Sequence, residues 1–250
     1  MGVPSADCGG KSLKVSVLQA KFIVADVWLS EMLGKKAYRL SLDEENRLSL
    51  NLTEIPAPSF VTAKIAADKP ADLELLQRAG FKIIETSVLY DKAISKEPLT
   101  RQAILTRFAA AEDEEAAVAL GASCIEYSRF HCDPKIDKTT ANKLKGEWVR
   151  NYFSGTRGDQ MVLAVSEEKI VGFLQLIKKD KALIIDLIAV ERSFRGKGAA
   201  SAMIRFAEVS NPGFERIQAG TQEANVASTA LYEKLGFKRI SSELVFHKHQ

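Results

Sequence analysis

A glycine-containing turn in the C-terminal part of the sequence has the composition of an anion-binding loop. Gly196 and Gly198 lie between an apolar segment that ends at Val190 and an alanine-rich segment of helical character. Glycine lets a ligand approach the backbone closely because it has no Cβ atom. The first turn of a helix leaves N–H groups unpaired and carries partial positive charge, which suits a diphosphate. Arg195 and Lys197 add positive charge, so the turn predicts a site for a phosphate-bearing ligand.

Two other phosphate-binding loops do not match this turn. A dinucleotide-binding fold would show Gly-x-Gly-x-x-Gly, with an acidic residue about 20 positions further on. A Walker loop would show Gly-x-x-x-x-Gly-Lys-Ser/Thr, which the sequence lacks. The sequence has Arg195-x-x-Gly198-x-Ala200 instead. The simpler alternative is a tight turn before a helix, with no ligand.

A second pair of polar residues follows the glycine turn. Asn225 lies just before a predicted helix, and Tyr232 follows seven residues later, two turns along the same face. Asparagine is a favoured N-cap, and an aromatic residue at this position could simply pack in the core. A phenol, with a pKa of about 10, could instead act as a general acid.

Together the two segments resemble those of the GNAT acetyltransferases. The turn resembles their Arg/Gln-x-x-Gly-x-Gly/Ala acetyl-CoA loop, and residues 225–237 resemble their Asn-x-x-Ala/Ser-x-x-x-Tyr-x-x-x-Gly-Phe segment. Ala200 stands where many members have glycine. The resemblance implies acetyl-CoA as co-substrate, no metal, and Tyr232 as the general acid. The residues that it places at acetyl-CoA are Ile188, Ala189, Val190, Arg195, Gly196, Lys197, Gly198, Ala199, Ala200 and Asn225.

The hydrophobic pattern around these segments predicts an α/β fold with mixed sheets. The strands are predicted at residues 13–27, 60–66, 81–90, 103–108, 161–166, 170–177, 182–190, 216–221 and 237–247, with a further strand and a turn within 36–50, and the helices at 71–79, 113–120, 140–153, 199–209 and 226–235. The resemblance covers residues 101–250. It implies a GNAT acyltransferase fold, a mixed central sheet flanked by helices, preceded by a smaller, degenerate GNAT-like α/β domain. We expect this first domain at residues 1–98 and the catalytic domain at 99–250.

The degenerate first domain is suggested by a repeat within the chain. Residues 71–92 overlie residues 227–248 without gaps when the sequence is shifted by 156 positions. In both copies the sequence predicts a helix that ends in Gly-Phe-Lys and is followed by a strand. Junctions between helix and strand can look alike simply because a glycine ends the helix. Lys69 and Leu76 stand where the second copy has its asparagine and tyrosine, so we expect the first copy to bind no cofactor.

Four segments suggest which acceptor such an enzyme would use. Residues 28–34, 63–66, 75–85 and 127–133 resemble segments of the TDP-fucosamine acetyltransferases, which N-acetylate a nucleotide-linked 4-amino-4,6-dideoxy sugar. In residues 28–34 the aromatic pair that is usual before the glycine is Met-Leu. The substrate is therefore less firmly indicated than the reaction.

This second resemblance implies roles for three further residues. Glu85 takes the place of a glutamate that would act as the general base, and Arg129 and His131 would contact the acceptor. Each has an ordinary alternative. Glu85 could be a solvated residue at the start of a strand, and the other two could be unremarkable loop residues, since most loop residues bind nothing.

The cysteines and histidines give no sign of a metal site. The three cysteines are an odd number without a Cys-x-x-Cys spacing, which fits a reducing, cytoplasmic environment. His131 stands alone, and His247 and His249 lie at the end of the sequence.

Charge and hydropathy exclude two classes of partner. The formal net charge is +3, and no run of Lys or Arg is dense enough to follow a nucleic-acid backbone. No apolar run approaches the roughly 20 residues of a membrane span. Residues 1–10 lack the pattern of a signal peptide, and we expect a flexible leader there.

These observations predict direct acetyl transfer from acetyl-CoA to a primary amine. The acceptor that we expect is the amino group of a TDP-linked 4-amino-4,6-dideoxy sugar, used in surface polysaccharide synthesis. Three alternatives remain: a protein, peptide or other small amine as acceptor, a non-catalytic acyl-CoA sensor, or a structural two-domain module. Tyr232 argues against the sensor, since a sensor needs no acid, and the glycine turn argues against the module. A homodimer is compatible with the sequence.

Overall fold

The computed structural model describes residues 22–42, 55–95, 97 and 104–250. Its strands are β1 (Ile23–Ala25), β2 (Lys36–Leu40), β3 (Ser59–Ala66), β4 (Lys82–Ala93), β5 (Leu105–Phe108), β6 (Gln160–Ser166), β7 (Lys169–Lys179), β8 (Ala182–Val190), β9 (Arg216–Gln222) and β10 (Lys238–His249). Its α-helices are α1 (Val27–Leu33), α2 (Pro70–Arg78), α3 (Glu114–Cys124), α4 (Lys138–Phe153), α5 (Ala199–Val209) and α6 (Val226–Lys234). In this described part of the chain, no helix is long and apolar enough to cross a membrane. The cytoplasmic location stays a prediction.

All ten strands belong to one sheet, in the order β1-β2-β3-β10-β4-β9-β8-β7-β6-β5. The pairs β2–β3 and β8–β9 are parallel, and the other neighbouring pairs are antiparallel. Apolar clusters lie on both faces, with α1, α3 and α4 on one and α2, α5 and α6 on the other. The predicted α/β fold with a mixed sheet flanked by helices is confirmed.

The two copies of the repeat fold alike and share strands. Both β3-α2-β4 and β9-α6-β10 run strand, helix, strand, as predicted. The last strand of each copy pairs with the first strand of the other, because β10 lies between β3 and β4. The registers agree: Ser87 faces Gln222, and the equivalent residues 156 positions away, Glu243 and Ala66, face each other as well. The described strands on either side of the predicted division between residues 98 and 99 form one continuous sheet, and two separate domains stay a prediction.

One extra residue in β8 changes which side of the sheet its side chains face. The register with β7 shifts between Gln175 and Leu176, and Asp186 is the extra residue. Before this β-bulge, Ile185 packs in the cluster beneath α5, whereas Leu187 after it packs in the cluster beneath α3. A single inserted residue reverses the alternation of side chains in this way.

The bulge lies where β8 and β9 part. Residues 182–185 of β8 pair with residues 216–219 of β9. β8 then continues to Val190 and β9 to Gln222 without further pairing between the two described strands. The separation leaves strand edges with free hydrogen-bonding groups in the middle of the sheet.

The strand predicted at residues 13–27 falls largely outside the described residues, and its last residue is wrongly assigned. Val27 begins helix α1 instead of ending a strand. The helix forms because the side chain of Asp26 accepts a hydrogen bond from the Leu29 N–H at 3.0 Å. Gly34 ends it in the left-handed conformation, with a φ of 63°. The strand predicted at the start of residues 36–50 is β2, which ends at Leu40, and residues 43–50, which include part of the predicted turn region, lie outside the described part.

Candidate active site

A cavity of about 570 Å³ opens where β8 and β9 separate. Its wall includes most of the residues predicted to contact acetyl-CoA together with the predicted acid, namely Ile188, Ala189, Val190, Arg195, Gly196, Gly198, Ala199, Ala200, Asn225 and Tyr232. Of the predicted contacts within the described chain, Lys197 lies outside this wall, and its ammonium is 4.9 Å from the centre of the Phe194 ring. The fold thus brings two segments that are distant in sequence to one cleft.

The glycine turn presents the start of α5 to this cavity. Gly198 is the N-cap of the helix, and no described side chain caps the helix there. Gly196 and Gly198 have φ angles of 75° and 89°, which residues with a side chain rarely adopt. A Cβ atom at either position would meet no described atom within 4 Å. The unpaired N–H groups of the first helical turn therefore border open space, as an anion-binding site requires.

Arg195 links the glycine turn to the end of α3 through hydrogen bonds. Its Nε donates to the carbonyl oxygen of Val190 at 3.2 Å, and its Nη2 donates to that of Cys124 at 2.9 Å. Glu126 lies beside it, with its Oε2 3.6 Å from Nη1, and also pairs with Arg192. A cation at the C-terminal end of a helix is favourable, so Arg195 shapes the turn as well as bordering the cavity.

Asn225 and Tyr232 have structural roles in α6 as well as facing the cavity. The side chain of Asn225 accepts a hydrogen bond from the Ser228 N–H at 3.2 Å, the predicted N-cap. Tyr232 is 1% exposed, and its ring centre lies 5.7 Å from that of Tyr90 and 5.3 Å from that of Phe237. Burial raises the pKa of the Tyr232 hydroxyl above its usual value, so it stays protonated at neutral pH.

Glu85 on β4 lies beside this cavity. Its Oε1 accepts a hydrogen bond at 3.2 Å from Nε2 of Gln222, which lines the cavity. Its other oxygen, Oε2, is buried and has no hydrogen-bond partner among the described residues. Burial raises the pKa of the Glu85 carboxyl, and the bond from Gln222 and the charges of Arg129, Lys64 and Lys145 oppose this. A carboxyl in this state can exchange a proton nearer to neutral pH than an exposed glutamate can.

The cavity also contains Lys145, which the sequence reasoning missed. This lysine is 7% exposed, and its Nζ lies 4.3 Å from the centre of the Trp148 ring. Burial lowers the pKa of Lys145 to about 7, helped by Arg129 and Arg157 and opposed by Asp186 and Glu85. The signal was its spacing in α4, since it lies four residues from each of two buried residues, Ala141 and Val149.

The arrangement of the glycine turn, the cleft and helix α6 agrees with the protein family that the sequence matches. Residues 123–237 match the model of the Acetyltransferase (GNAT) family. The matched range contains the glycine turn, the cleft between β8 and β9, and helix α6. The chain contains a GNAT acetyltransferase domain.

Curated relatives and solved structures are similar to parts of the chain. It is 31% identical over 137 residues to the spore coat polysaccharide biosynthesis protein SpsD of Bacillus subtilis, covering 54% of this chain and 47% of that protein. It is 30% identical over 98 residues to the N-acetylaspartate synthetase of Xenopus tropicalis, covering 37% and 35%. The matched part thus spans less than half the length of either relative. The crystal structure of a GCN5-related N-acetyltransferase from Sphaerobacter thermophilus has a TM-score of 0.54 and 19% identity, over 82% of this chain and 64% of that one, and shows likeness of fold.

A second cavity, of about 950 Å³, lies between α4 of the GNAT domain and the N-terminal strands. Four cationic side chains line it, belonging to Arg39, Lys64, Arg129 and Arg157. Asp26 and Glu243, which also line it, lie 3.5 Å from the first two of these cations. The indole rings of Trp28 and Trp148 form part of the same wall and meet edge to face at 5.8 Å. The cavity is therefore polar and cationic, with an aromatic side.

Arg129, a predicted acceptor contact, is half-buried at this second cavity. Its guanidinium lies 4.8 Å from the centre of the Phe130 ring, and it forms no ion pair or hydrogen bond with the described residues. Burial lowers the pKa of Arg129, while the charges of Glu85 and Asp26 act in the opposite direction. An arginine remains charged under these conditions, so an unpaired cation is available to a ligand.

A cluster of five ionisable residues lies beside the two cavities. Arg157 lines the second cavity and binds Asp186 of the first through two hydrogen bonds, at 2.7 and 2.5 Å. The junction cluster consists of Glu85, Arg129, Lys145, Arg157 and Asp186.

His131 lies apart from both cavities. Its Nδ1 is 2.7 Å from the hydroxyl of Ser128, and its Nε2 is 2.9 Å from Oδ1 of Asn142. The described wall of neither cavity includes it. Burial lowers the pKa of His131, so it is neutral at pH 7. Contact with the acceptor would require one of its two hydrogen bonds to break, and this predicted role stays a prediction.

The fold gathers three side chains that the sequence did not connect. Oδ2 of Asp133 lies 2.6 Å from Nδ1 of His247 and 2.7 Å from Nε2 of His249, and the group has the composition of a metal site. These separations are those of hydrogen bonds between the side chains themselves. Burial raises the pKa of the Asp133 carboxyl, but the bonds from the two histidines outweigh it and hold the pKa well below its usual range. The sequence indicated no role for these histidines because they lie at the end of the chain. Strand β10, which carries them, lies in the middle of the sheet.

Proposed function

We propose that this chain is an acetyl-CoA-dependent N-acetyltransferase that moves the acetyl group directly from the thioester to a primary amine. The observation that supports this best is the cleft between β8 and β9 with the uncapped N-terminus of α5 at its edge. Acetyl-CoA supplies the acetyl group as an activated thioester. A diphosphate fits the start of α5 because unpaired N–H groups and the helix dipole meet open space there.

The unpaired edges of β8 and β9 suit the pantetheine part of acetyl-CoA. Backbone groups beyond residue 185 of β8 and residue 219 of β9 are free to pair with the amides of pantetheine, as a sheet edge pairs with an added strand. The backbone near Ile188, which lines the cavity, would meet the thioester carbonyl with an N–H group. Such a donor favours the transition state, in which negative charge develops on that oxygen.

Two residues would move protons in this reaction. Tyr232 would protonate the departing thiolate. Its hydroxyl is a weak acid in this buried position, but the same burial disfavours a free thiolate, so the proton moves between two groups that both resist negative charge. Glu85 would receive the ammonium form of the acceptor and act as the first base, since burial raises its pKa towards neutrality.

The acceptor that we propose is a TDP-linked 4-amino-4,6-dideoxy sugar, used in surface polysaccharide synthesis. Such a molecule carries two phosphate charges, and Arg129 is an unpaired, forked donor in a cationic cavity. The tryptophan rings of the cavity suit the flat faces of a base or sugar. The printed name of the Bacillus subtilis relative, a polysaccharide biosynthesis protein, supports the same class of acceptor.

A small anionic amine, such as an acidic amino acid, is a second candidate acceptor. The four cations of the second cavity would bind carboxylates as well as phosphates. The printed name of the Xenopus tropicalis relative, N-acetylaspartate synthetase, favours this alternative. The volume of about 950 Å³ favours the larger nucleotide sugar.

The test measures release of CoA thiol from acetyl-CoA with TDP- and UDP-linked amino sugars, acidic amino acids, peptides and polyamines. We expect a TDP-linked amino sugar to be used best. Arg129→Ala should raise the KM for that sugar about tenfold or more, since it removes charge-assisted hydrogen bonds, and leave the KM for acetyl-CoA unchanged. Arg78→Ala is the matched control, because this arginine lies exposed on α2. Efficient use of peptides with no use of nucleotide sugars would overturn the acceptor, and absence of both CoA binding and transfer would overturn the activity.

A further inference from the structure

The proton route described above leaves one buried amine unused. Lys145 is the only buried lysine among the described residues. Its side chain lines the first cavity, and it forms no ion pair or hydrogen bond with any residue that the structure describes. A buried ammonium ion without a partner is costly, so an unpaired buried lysine favours its uncharged form.

The surroundings of Lys145 allow the charged form as well. The ring centres of Trp148 and Phe130 lie 4.3 and 6.0 Å from its Nζ, and an aromatic face attracts a cation. Four charged residues influence it from the elements packed around α4, with opposite signs in balance: Glu85 of β4, Arg129 before α4, Arg157 after α4 and Asp186 of β8. Burial is the largest effect and lowers the pKa of Lys145 to about 7, so both forms are populated near neutral pH.

The proposed reaction needs a proton acceptor of this kind. A primary amine arrives mostly as ammonium and must lose a proton before its lone pair can attack the thioester. A base works best when its pKa lies near the operating pH. Glu85 is a carboxylate and a weaker base than an amine, even with its pKa raised. The Glu85 carboxylate can bind the ammonium group of the acceptor, but a stronger base is needed to accept the proton that this group loses.

We propose that Lys145 is the terminal acceptor of the proton that the acceptor amine loses. The N–H bond of the bound ammonium breaks, the proton passes through the Glu85 carboxylate, and a new N–H bond forms on Nζ of Lys145. Lys145 becomes an ammonium ion against the face of Trp148 and releases the proton to solvent through the cavity before the next turnover. Tyr232 protonates the CoA thiolate as the C–S bond breaks. The second proton, which the nitrogen loses as it becomes an amide, returns to the Tyr232 oxygen, so one proton is released overall. This inference rests on the proposed function.

The opposite role for Lys145 would be a permanent cation that binds an anionic part of the acceptor. The two roles predict opposite responses to pH. A base works when it is uncharged, so activity appears as the pH rises through its pKa. A binding cation works when it is charged, so activity disappears over the same range.

The kinetic test compares Lys145→Met and Lys145→Arg with the wild-type protein between about pH 5.5 and 9. The substrates are acetyl-CoA and the TDP-linked 4-amino-4,6-dideoxy sugar. We expect kcat/KM of the wild type to rise with a midpoint near 7. Both variants should lose this rise and about 100-fold of the rate, with unchanged CoA affinity by calorimetry. Lys143→Met and Lys143→Arg, at an exposed position of the same helix, are the matched controls and should match the wild type.

A second measurement is independent of the acceptor. In protein with ¹³C-labelled lysine ε-carbons, one NMR signal should titrate near pH 7, well below the value of about 10.4 for lysine in model peptides, and be missing from Lys145→Met. Titration of Lys145 above about 10, or full activity in Lys145→Arg, would overturn the inference. If the wild type acetylates the sugar and Lys145→Met keeps the same pH profile, Lys145 is wrong and the proposed function stands. If the wild type binds no CoA and acetylates nothing, both fail.

Discussion

The two strand–helix–strand copies have the same topology but different surroundings. In the second copy, β9 pairs with only the first part of β8, so a cleft opens between them. In the first copy, all of β2 is paired with β3. Asn225 caps α6 through its side chain, whereas Lys69, at the start of α2, makes no such cap with the described residues. Both β8 and β9 continue past their last paired residues, whereas beside the first copy only β3 does so, because β2 ends at Leu40.

The residues two turns along each helix show the same difference. Tyr232 lines a cavity, while Leu76 is fully buried in an apolar cluster with Phe81 and Phe246. A shared fold therefore carries the proposed cofactor site in one copy and apolar packing in the other. Function depends on the particular side chains and on where strands separate, and the topology alone does not supply it.

The largest effect is expected from removing the anion site of the second copy. Arg195→Glu combined with Gly198→Asp should lower CoA affinity about a thousandfold or more, because carboxylates would replace the positive environment at the start of α5. Isothermal calorimetry measures the affinity. Gly213→Asp is the control, since this glycine is exposed and a Cβ there would meet no described atom within 4 Å. Unchanged affinity in a folded double variant would mean that the phosphates bind elsewhere.

A smaller effect is expected from removing one hydroxyl. Tyr232→Phe should lower kcat about 100-fold and change the acetyl-CoA KM little, since packing is kept and the acid is lost. Tyr90→Phe is the matched control. This neighbouring phenol donates to Glu233 at 3.2 Å and lies outside the described cavity wall, so its loss should change kcat less than threefold. Equal rates for the two variants would make Tyr232 a packing residue, like Leu76.

The smallest effect on CoA binding is expected in the first copy. Leu76→Ala removes a fully buried side chain and should lower the free energy of unfolding by about 2–5 kcal/mol. Chemical denaturation measures this change. At a temperature where the variant is folded, its CoA affinity should stay within twofold of the wild type. A tenfold loss would show that the first copy contributes to the cofactor site, and the contrast between the copies would fail.

Local sequence signals sufficed for most elements of the fold. The strand, helix, strand order of the repeat followed from apolar periodicity and from the glycine that ends each helix. Helix α1 was missed because its seven residues follow an apolar stretch directly, and only the cap by Asp26 marks its start. The insertion of β10 between β3 and β4 could not be predicted, since strand order depends on pairing between residues far apart in the chain.

The candidate site likewise contains some residues that the sequence could predict and others that it could not. The glycine turn, Asn225 and Tyr232 form contiguous motifs with recognisable spacing, and the structure brings them to one cavity. Lys145 carries no motif, because a lysine acquires an unusual environment only when its helix packs against the sheet. The bulge at Asp186 was likewise invisible, since the strand alternates normally on both sides of it.

The position of β10 also constrains the order of assembly during synthesis. β3 and β4 do not pair with each other, and the strand between them is made 156 residues after β4 begins. As the chain leaves the ribosome, the facing edges of β3 and β4 have to wait for that partner. Contacts so distant in sequence close slowly, and unpaired edges are open to wrong partners in the meantime. The first copy therefore cannot complete its sheet before the second copy is made.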